Sequence, residues 1–254
     1  AFSYGPTAKA LEQERVLAFL RPGRCRPFEA IGAALTDDEG RVAIELEAGR
    51  LAEAGLYEIV LIVEGDGSRA RGGVWVLPAA MPVVIFDVDG TLTASDAELI
   101  DEVITGAPQE VAPGAPQLVQ AYWERGVLPI YLTGRAPSLR ATTQAWLRRE
   151  GFAAGPLLTP SGLWEGRPSS DGVQRFKRER LLDLQARLGV RIQAAFGNAI
   201  TDICAFAEAG VPAERTFIYG PNGGRACGSG PPTRALPSYF EHREELRALR
   251  ALPP

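Results

Sequence analysis

Two aspartates stand one residue apart where an apolar run ends, in VVIFDVDGTLTAS at 83–95. The apolar run predicts a buried strand, with Asp87 as its last residue and Asp89 projecting to the same side. One carboxylate could attack phosphorus and form an aspartyl-phosphate. The other could protonate the leaving oxygen and then deprotonate the attacking water. The competing interpretation is that the pair only terminates the strand, as Asx-type turns do.

A cation is required by this chemistry, because the negative charge of a phosphoryl group repels an attacking carboxylate. Mg²⁺ suits the role, since it binds one or two carboxylates together with substrate oxygens and water. The segment GNAITD at 197–202 offers further oxygen ligands, although a helix cap explains it equally well. We predict Mg²⁺ as the cofactor. Its predicted ligands are Asp87, Asp89, Asn198 and Asp202.

Other polar residues are candidates for binding the phosphate. Thr133 ends the apolar stretch VLPIYLT and offers a hydroxyl, and Gly134 offers a backbone amide. Lys177 opens a predicted helix and could neutralise the transferring group. Arg135 and Arg140 are candidate contacts to a substrate headgroup. The non-functional alternatives are that Thr133–Arg135 is a structural turn and that Lys177 is a solvated lysine on a charged helix.

The elements that must position these residues alternate between strand and helix after residue 82. Strands are predicted at 83–87, 127–133, 191–197 and 215–219, and helices at 118–126, 138–151, 176–189, 201–210 and 239–249. This alternation predicts an α/β fold with a doubly wound parallel sheet and right-handed crossovers. In such sheets the site lies beyond the carboxyl ends of the strands. The candidate residues fall in those loops.

The residues before position 80 instead have the alternating apolar pattern of β-strands. Strands are predicted at 31–35, 42–46, 56–63 and 73–77, the first two as a hairpin around TDDEGR. Short strands with regular turns predict a small β-sandwich of immunoglobulin type. We expect two domains, 1–80 and 81–254, with the boundary in PAAMP at 78–82.

The composition excludes some classes of function. With 254 residues, a net charge of −4 and scattered basic residues, the chain is not expected to bind nucleic acid. No apolar run has the length that a bilayer requires. Cys25, Cys204 and Cys227 show neither zinc spacing nor a disulfide framework, which favours a reducing compartment. The start at Ala1, with Met81 as the one methionine, suggests a processed or trimmed product, and an exported form stays open.

Three local expectations concern residues outside the motifs. His242 lies on the charged last helix and is expected to face solvent, and Cys204 is expected to be a small core residue. The run GPNGGRACGSGPPTRALP at 220–237 is expected to be a mobile surface loop. The stretch 93–116 has room for one small helix but not for a large cap, which suits a phosphate displayed on a membrane or a macromolecule.

The motifs DVDGT at 87–91, Thr133, Lys177 and GNAITD at 197–202 occur in the order that is typical of the haloacid dehalogenase (HAD) superfamily of phosphatases. The sequence segments around these motifs resemble the lipin-type domain. That domain occurs in lipin phosphatidate phosphatases and is the C-terminal domain of the phosphatidylinositol transfer proteins of the retinal degeneration B class. FSYGP at 2–6 and GLYEIVLIVEGDGSRARGGVWVLP at 55–78 are similar to the segment that precedes that domain in the transfer proteins.

The resemblance implies roles for the matched residues. Asp87 would be the nucleophile and a metal ligand, Asp89 the acid and base, and Lys177 a phosphate ligand. In the transfer proteins the nucleophilic aspartate is lost and the domain serves as a phosphatidic acid sensor, whereas Asp87 is present here. We therefore expect a magnesium-dependent phosphatase acting on phosphatidic acid or a related monoester. The alternatives are a phosphatidic acid-binding module and a phosphatase for soluble substrates.

The same resemblance sets expectations for location and assembly. Peripheral membrane contact or a cytoplasmic location is expected. The oligomeric state is not indicated by any feature of the sequence.

Overall fold

The computed structural model describes residues 3–4, 9–23, 25–47, 49–94, 109–160 and 170–248. The chain forms two compact units, Ala1–Pro78 and Ala79–Pro254. This division lies two residues before the boundary expected from the sequence. The small helix expected near 95–108 lies outside the described residues.

The N-terminal unit is β-sandwich-like, as predicted. Its strands are β1 (Ser3–Tyr4), β2 (Lys9–Ala10), β3 (Arg15–Pro22), β4 (Glu29–Leu35), β5 (Gly55–Val63) and β6 (Arg69–Val76). An antiparallel sheet has the order β4-β3-β5-β6, and β1 pairs with β2. Alternate residues of β3 are buried, and Val16 packs with Leu11 and Val63 in a small apolar cluster.

Two strand predictions in this unit were wrong. No strand is present at 42–46, where Val42 packs against the apolar cluster from an irregular segment. The predicted hairpin does not form, because β4 pairs with β3, a strand that the sequence analysis missed. Alternating apolar residues satisfy either a strand or a segment laid along a cluster, so the pattern could not separate the two.

The C-terminal unit is an α/β domain with a doubly wound parallel sheet, as predicted. Its strands are β7 (Pro82–Asp87), β8 (Leu128–Leu132), β9 (Leu157–Leu158), β10 (Arg191–Gly197), β11 (Thr216–Tyr219) and β12 (Arg234–Leu236). All pairings are parallel in the order β12-β11-β10-β7-β8-β9. β7 is central, and its side chains from Val83 to Phe86 are fully buried.

Helices connect these strands. They are α1 (Ala115–Trp123), α2 (Arg140–Arg149), α3 (Ser170–Leu188), α4 (Ile200–Glu208) and α5 (Tyr239–Ala248), with 3-10 turns at Pro137–Leu139 and Ala213–Arg215. Gly151 and Gly189, at the ends of the predicted helices 138–151 and 176–189, follow α2 and α3 with φ angles of 78° and 59°, the left-handed conformation typical of a helix C-terminus. No helix among the described residues is long and apolar enough to cross a membrane.

His242 is buried, so the expectation that it faces solvent was wrong. Its Nε2 lies 3.1 Å from the Tyr122 hydroxyl, and its ring centroid lies 4.2 Å from that of Phe217. Tyr239, His242 and Leu246 recur at helical spacing on α5, and all three are buried. The inward stripe of this helix therefore includes the histidine, although most of its neighbours in sequence are charged.

The expectation that the cysteines form no disulfide was also wrong, although Cys204 is buried in the core as expected. Cys204 on α4 forms a disulfide with Cys227, 23 residues later, while Cys25 is free and exposed. The segment expected to be a mobile loop is thereby fixed to α4, and it contains β12. Thr233 within it is buried and donates from its hydroxyl to the Arg225 carbonyl at 2.7 Å.

Candidate functional site

Three loops bring the polar motif residues to one edge of the sheet. β7 ends at Asp87, β8 is followed by Thr133, and β10 ends at Gly197. Asp87 is paired in register with Leu132, directly before Thr133. Because neighbouring parallel strands end at the same edge, their following residues converge there.

The Asp87 cluster consists of Asp87, Thr91, Lys177 and Asp202, all nearly or fully inaccessible to solvent. The Lys177 ammonium donates to Asp87 Oδ1, and also to Asp202 Oδ1 at 2.6 Å. The Thr91 hydroxyl donates to Asp87 Oδ2 at 3.0 Å. Lys177 thus joins a carboxylate at the end of β7 to one on the first turn of α4.

Asp202 is held in place by the start of its own helix. Its Oδ2 accepts the backbone amides of Asn198 and Ala199, each at 3.1 Å. The Asn198 side-chain oxygen accepts from the Thr91 hydroxyl at 3.3 Å, which ties this turn to the loop after β7. A Cβ added at Gly197 would lie 2.5 Å from the Asp202 Cβ, so the carboxylate depends on the absence of a side chain there.

The Asp87 cluster has two carboxyl groups and only one ammonium. Burial, followed by the nearby Asp202, raises the pKa of Asp87 to about 8, although Lys177 opposes the shift. Burial alone would lower the pKa of Lys177, but Asp202 and Asp87 outweigh it and raise that pKa above its ordinary value. The lysine is therefore charged, and the excess of carboxyl groups favours a proton or another cation at Asp87.

The Asp89 cluster consists of Asp89, Thr133 and Arg135. The Thr133 hydroxyl donates to Asp89 Oδ2 at 2.8 Å, and Arg135 Nε donates to Asp89 Oδ1 at 2.8 Å. Arg135 Nη2 lies 2.7 Å from the same oxygen and forms an ion pair with it. The Arg135 side chain is 2% exposed and that of Asp89 is 27% exposed. Asp89 is the accessible member of the pair, so it faces the crevice while its counter-ion lies behind it.

Two residues that the sequence analysis missed support Arg135 from behind. Its Nη1 donates to the Thr143 hydroxyl oxygen at 3.0 Å, and its Nη2 donates to Gln109 Oε1 at 2.8 Å. Trp146 Nε1 donates to the Gln109 carbonyl at 3.1 Å. Thr143 shares the inward face of α2 with Trp146 and Leu147, a helical spacing that could have drawn attention to it. Gln109 belongs to no motif and gave no signal.

Three other predicted residues have different contacts from those expected of a phosphate or headgroup site. Arg135, predicted as a headgroup contact, belongs to the Asp89 cluster. Arg140 is exposed and donates to Thr159 Oγ1 at 3.3 Å, beside a cavity of about 430 Å³ that Leu158 and Arg180 also line. Gly134 lies against α3, where an added Cβ would be 3.2 Å from Val173 Cγ2.

The side-chain oxygens of Asp87, Asp202 and Asn198 fit a magnesium ion in their spacing. Asp87 and Asp202 approach closely enough to share a single ammonium, so one small cation could contact both carboxylates. The Asn198 side-chain oxygen is near, through Thr91. No group of three or more His, Cys, Asp or Glu side chains with metal spacing occurs in the described part of the chain. Mg²⁺ is commonly held by one or two carboxylates with water and phosphate oxygens, which matches this set.

The parallel six-stranded sheet, with paired aspartates after its central strand, defines the class as a HAD-like, phosphatase-type Rossmann fold. A candidate HAD-like phosphatase from Mesorhizobium loti is similar in structure, with a TM-score of 0.50 and 19% identity over 78% of this chain and 94% of that one. Residues 84–220 match the family model "PITM 1-3, LNS2 domain" and residues 1–76 match "PITM 1-3, beta-sandwich domain". The chain therefore belongs to the PITM 1-3 LNS2 domain family.

Curated relatives agree with this assignment. Mouse membrane-associated phosphatidylinositol transfer protein 3 is 28% identical over 86% of this chain and 21% of its own length. The Drosophila melanogaster protein retinal degeneration B is 27% identical over 86% of this chain and 16% of its own length. The chain thus spans about a fifth of the length of such relatives. The resemblance to these transfer proteins is confirmed at the level of the domain family.

Proposed function

We propose that this chain is a magnesium-dependent phosphatase that works through an aspartyl-phosphate on Asp87. The observation that carries the proposal is the Asp87 cluster, where a buried carboxylate at the end of β7 contacts the Lys177 ammonium. Lys177 is placed to balance charge on a phosphoryl group as it transfers. Asp89, two residues further along, is the more accessible carboxylate and suits proton transfer.

The proposed reaction has two steps. Asp89 first takes up a proton from solvent. An Asp87 oxygen then forms a bond to phosphorus as the bond to the leaving oxygen breaks, and Asp89 gives its proton to that oxygen. A water molecule attacks the same phosphorus and passes a proton to Asp89, and the bond between phosphorus and the Asp87 oxygen breaks. Inorganic phosphate is released, Asp89 returns its proton to solvent, and both carboxylates are again in their starting states. Mg²⁺, held by Asp87 and Asp202, would supply positive charge against the phosphoryl oxygens.

The proposed substrate is phosphatidic acid or a related phosphate monoester at a membrane. The support is the family, because its curated relatives are named as membrane-associated phosphatidylinositol transfer proteins. Peripheral membrane contact is proposed on the same ground. The Cys204–Cys227 disulfide favours an oxidising environment over the cytoplasmic alternative.

The second candidate function is a phosphatidic acid-binding module with little or no turnover. Two observations favour it: membership of the PITM 1-3 LNS2 family, and the pairing of Asp87 and Asp89 with cationic side chains of the chain itself. Such a site could accept a phosphate monoester without reacting with it.

Phosphate release separates the two candidates. Phosphatidate vesicles and p-nitrophenyl phosphate would each be assayed with Mg²⁺ and with a chelator, using the wild type, Asp87→Asn and the exposed control Asp38→Asn. The enzyme proposal expects release that requires both Mg²⁺ and Asp87. Vesicle binding without magnesium-dependent release would establish the binding module instead. Release from the aryl compound alone would remove the lipid assignment.

A further inference from the structure

We propose that Gln109 is a positioning residue that orients Asp89 for proton transfer by fixing the plane of the Arg135 guanidinium. The inference rests on the proposed phosphatase function. It adds a specificity for a class of substrate. The contacts from Gln109 through Arg135 to Asp89 serve phosphate esters of poor leaving groups, such as alkyl phosphates. Gln109 makes this contact from outside every sequence motif.

The backbone around Gln109 is fixed to the loop that carries the aspartates. The Ala94 amide donates to the Glu110 carbonyl and the Ala112 amide to the Leu92 carbonyl, both at 2.9 Å. The Trp146 indole holds the Gln109 carbonyl from the other side. Gln109 is 4% exposed, so its side chain has little freedom to move.

The orientation of the Gln109 amide follows from the chemistry of its partner. A guanidinium only donates hydrogen bonds, so the amide oxygen must face Arg135. The amide nitrogen is then left buried, and it has no partner within the described residues. An unpaired buried donor is unfavourable for folding. Among the described residues, the hydrogen bond to Arg135 is therefore the contact that the Gln109 side chain makes.

Arg135 needs this support in order to present one edge to Asp89. Its Nε donates to Asp89 Oδ1 and its Nη2 lies 2.7 Å from the same oxygen, while Nη1 donates to Thr143 and Nη2 donates to Gln109. Contacts on two further sides fix the rotation of the planar group about its stem. Without Gln109 only Thr143 holds the far side of the guanidinium, so the group can turn, and Asp89 keeps only the Thr133 contact in a fixed direction.

The consequence depends on the leaving group. An alkoxide is a poor leaving group and requires a proton as its bond to phosphorus breaks, whereas p-nitrophenolate leaves without one. Misdirection of Asp89 should therefore slow alkyl phosphates much more than p-nitrophenyl phosphate. A defect of folding or of magnesium binding would slow both alike.

The test compares kcat for n-butyl phosphate and p-nitrophenyl phosphate at saturating Mg²⁺ in Gln109→Leu. We expect a fall of about 30-fold for the alkyl ester and less than about threefold for the aryl ester, because general acid catalysis contributes about 10²-fold or more. Gln144→Leu, an exposed glutamine on α2, is the matched control and should leave both rates unchanged. Urea unfolding of each variant shows whether stability has changed.

Thr143→Val provides a second variant if Gln109→Leu fails to fold, because it removes the other support of the guanidinium. The same shift in the alkyl-to-aryl ratio is expected. An unchanged ratio in a folded variant of an active wild type overturns this inference and leaves the proposed function standing. A wild type that releases no phosphate from either ester overturns both.

Discussion

The two halves of the candidate site balance charge in different ways. In the Asp87 cluster two buried carboxyl groups share one ammonium, whereas in the Asp89 cluster one carboxylate meets one guanidinium and is 27% exposed. The first half therefore has a negative charge to offset. Burial, followed by the nearby charge of Asp202, raises the pKa of Asp87 to about 8. The second half is neutral by itself. We therefore propose that an external cation belongs to the Asp87 cluster, whereas Arg135 offsets the charge of Asp89.

The largest expected effect separates catalysis from stability within the first half. Asp87→Asn should lower kcat by about 10⁴-fold or more, as loss of a nucleophile does. It should not lower the stability of the metal-free protein, because Asn removes the excess negative charge while Lys177 keeps Asp202. Phosphate release and urea unfolding in chelator measure the two effects. A large loss of stability would contradict the charge imbalance described for the Asp87 cluster.

Replacing the cationic side chain of each half by methionine tests the two halves in the same way. Lys177→Met should destabilise the metal-free protein by about 3–5 kcal/mol, because two buried carboxyl groups lose their common partner. Arg135→Met should cost less, since the partly exposed Asp89 can be solvated. The free energies of unfolding in chelator compare the two variants, and Mg²⁺ should recover part of the loss in Lys177→Met only. Equal losses would show that the two halves do not differ in charge balance.

The disulfide should influence the first half and leave the second unaffected. Cys204 lies two residues after Asp202, and Asn222, in the segment that the disulfide fixes, donates to the Asn198 carbonyl at 2.9 Å. Cys227→Ser should cost about 3 kcal/mol of stability on the chain-entropy model. It should also raise the Mg²⁺ concentration needed for half-maximal release.

The alkyl-to-aryl rate ratio, which reports on Asp89, should be unchanged in Cys227→Ser. Cys25→Ser, which alters a free and exposed cysteine, is the control. A change in that ratio would mean that the disulfide acts on both halves.

The smallest effect concerns a group outside both halves. Burial lowers the pKa of His242 below 6.5, in spite of Glu245 beside it. The unfolded chain therefore takes up the proton first as pH falls, so this contribution to stability is complete above about pH 6.5 and is lost below it. Wild type should lose stability between pH 7.5 and pH 5.5, and this loss should shrink in His242→Gln, as followed by urea unfolding at the two pH values. An identical pH dependence in the variant would remove His242 as the cause.

The sequence predicted the features that depend on local order along the chain. Asp87 and Thr133 follow apolar strands, and parallel strands place such residues together whatever the rest of the fold does. Strands β7, β8, β10 and β11 and the C-terminal helices were predicted for the same reason, because apolar periodicity is a local signal. The short strands β9 and β12 were missed.

Features that depend on a distant partner could not be predicted. Gln109 and Thr143 matter because Arg135 turns inward, and nothing in their own neighbourhood indicates that. The partner of Cys204 lies in a loop whose composition resembles a free connector, so a disulfide had no signal in spacing. Strand β3 was missed because its pairing with β4 and β5 is set by the whole sheet.

Gly197 has a consequence for how variants of this chain would be classified. The residue is apolar, has no side chain and contributes no atom to any proposed ligand set, yet a methyl group there would meet the Asp202 Cβ at 2.5 Å. Gly197→Ala would push a carboxylate away from Lys177 without deleting one polar atom. In a mutational scan it would therefore group with the charged residues of the site, and a survey restricted to polar positions would overlook it.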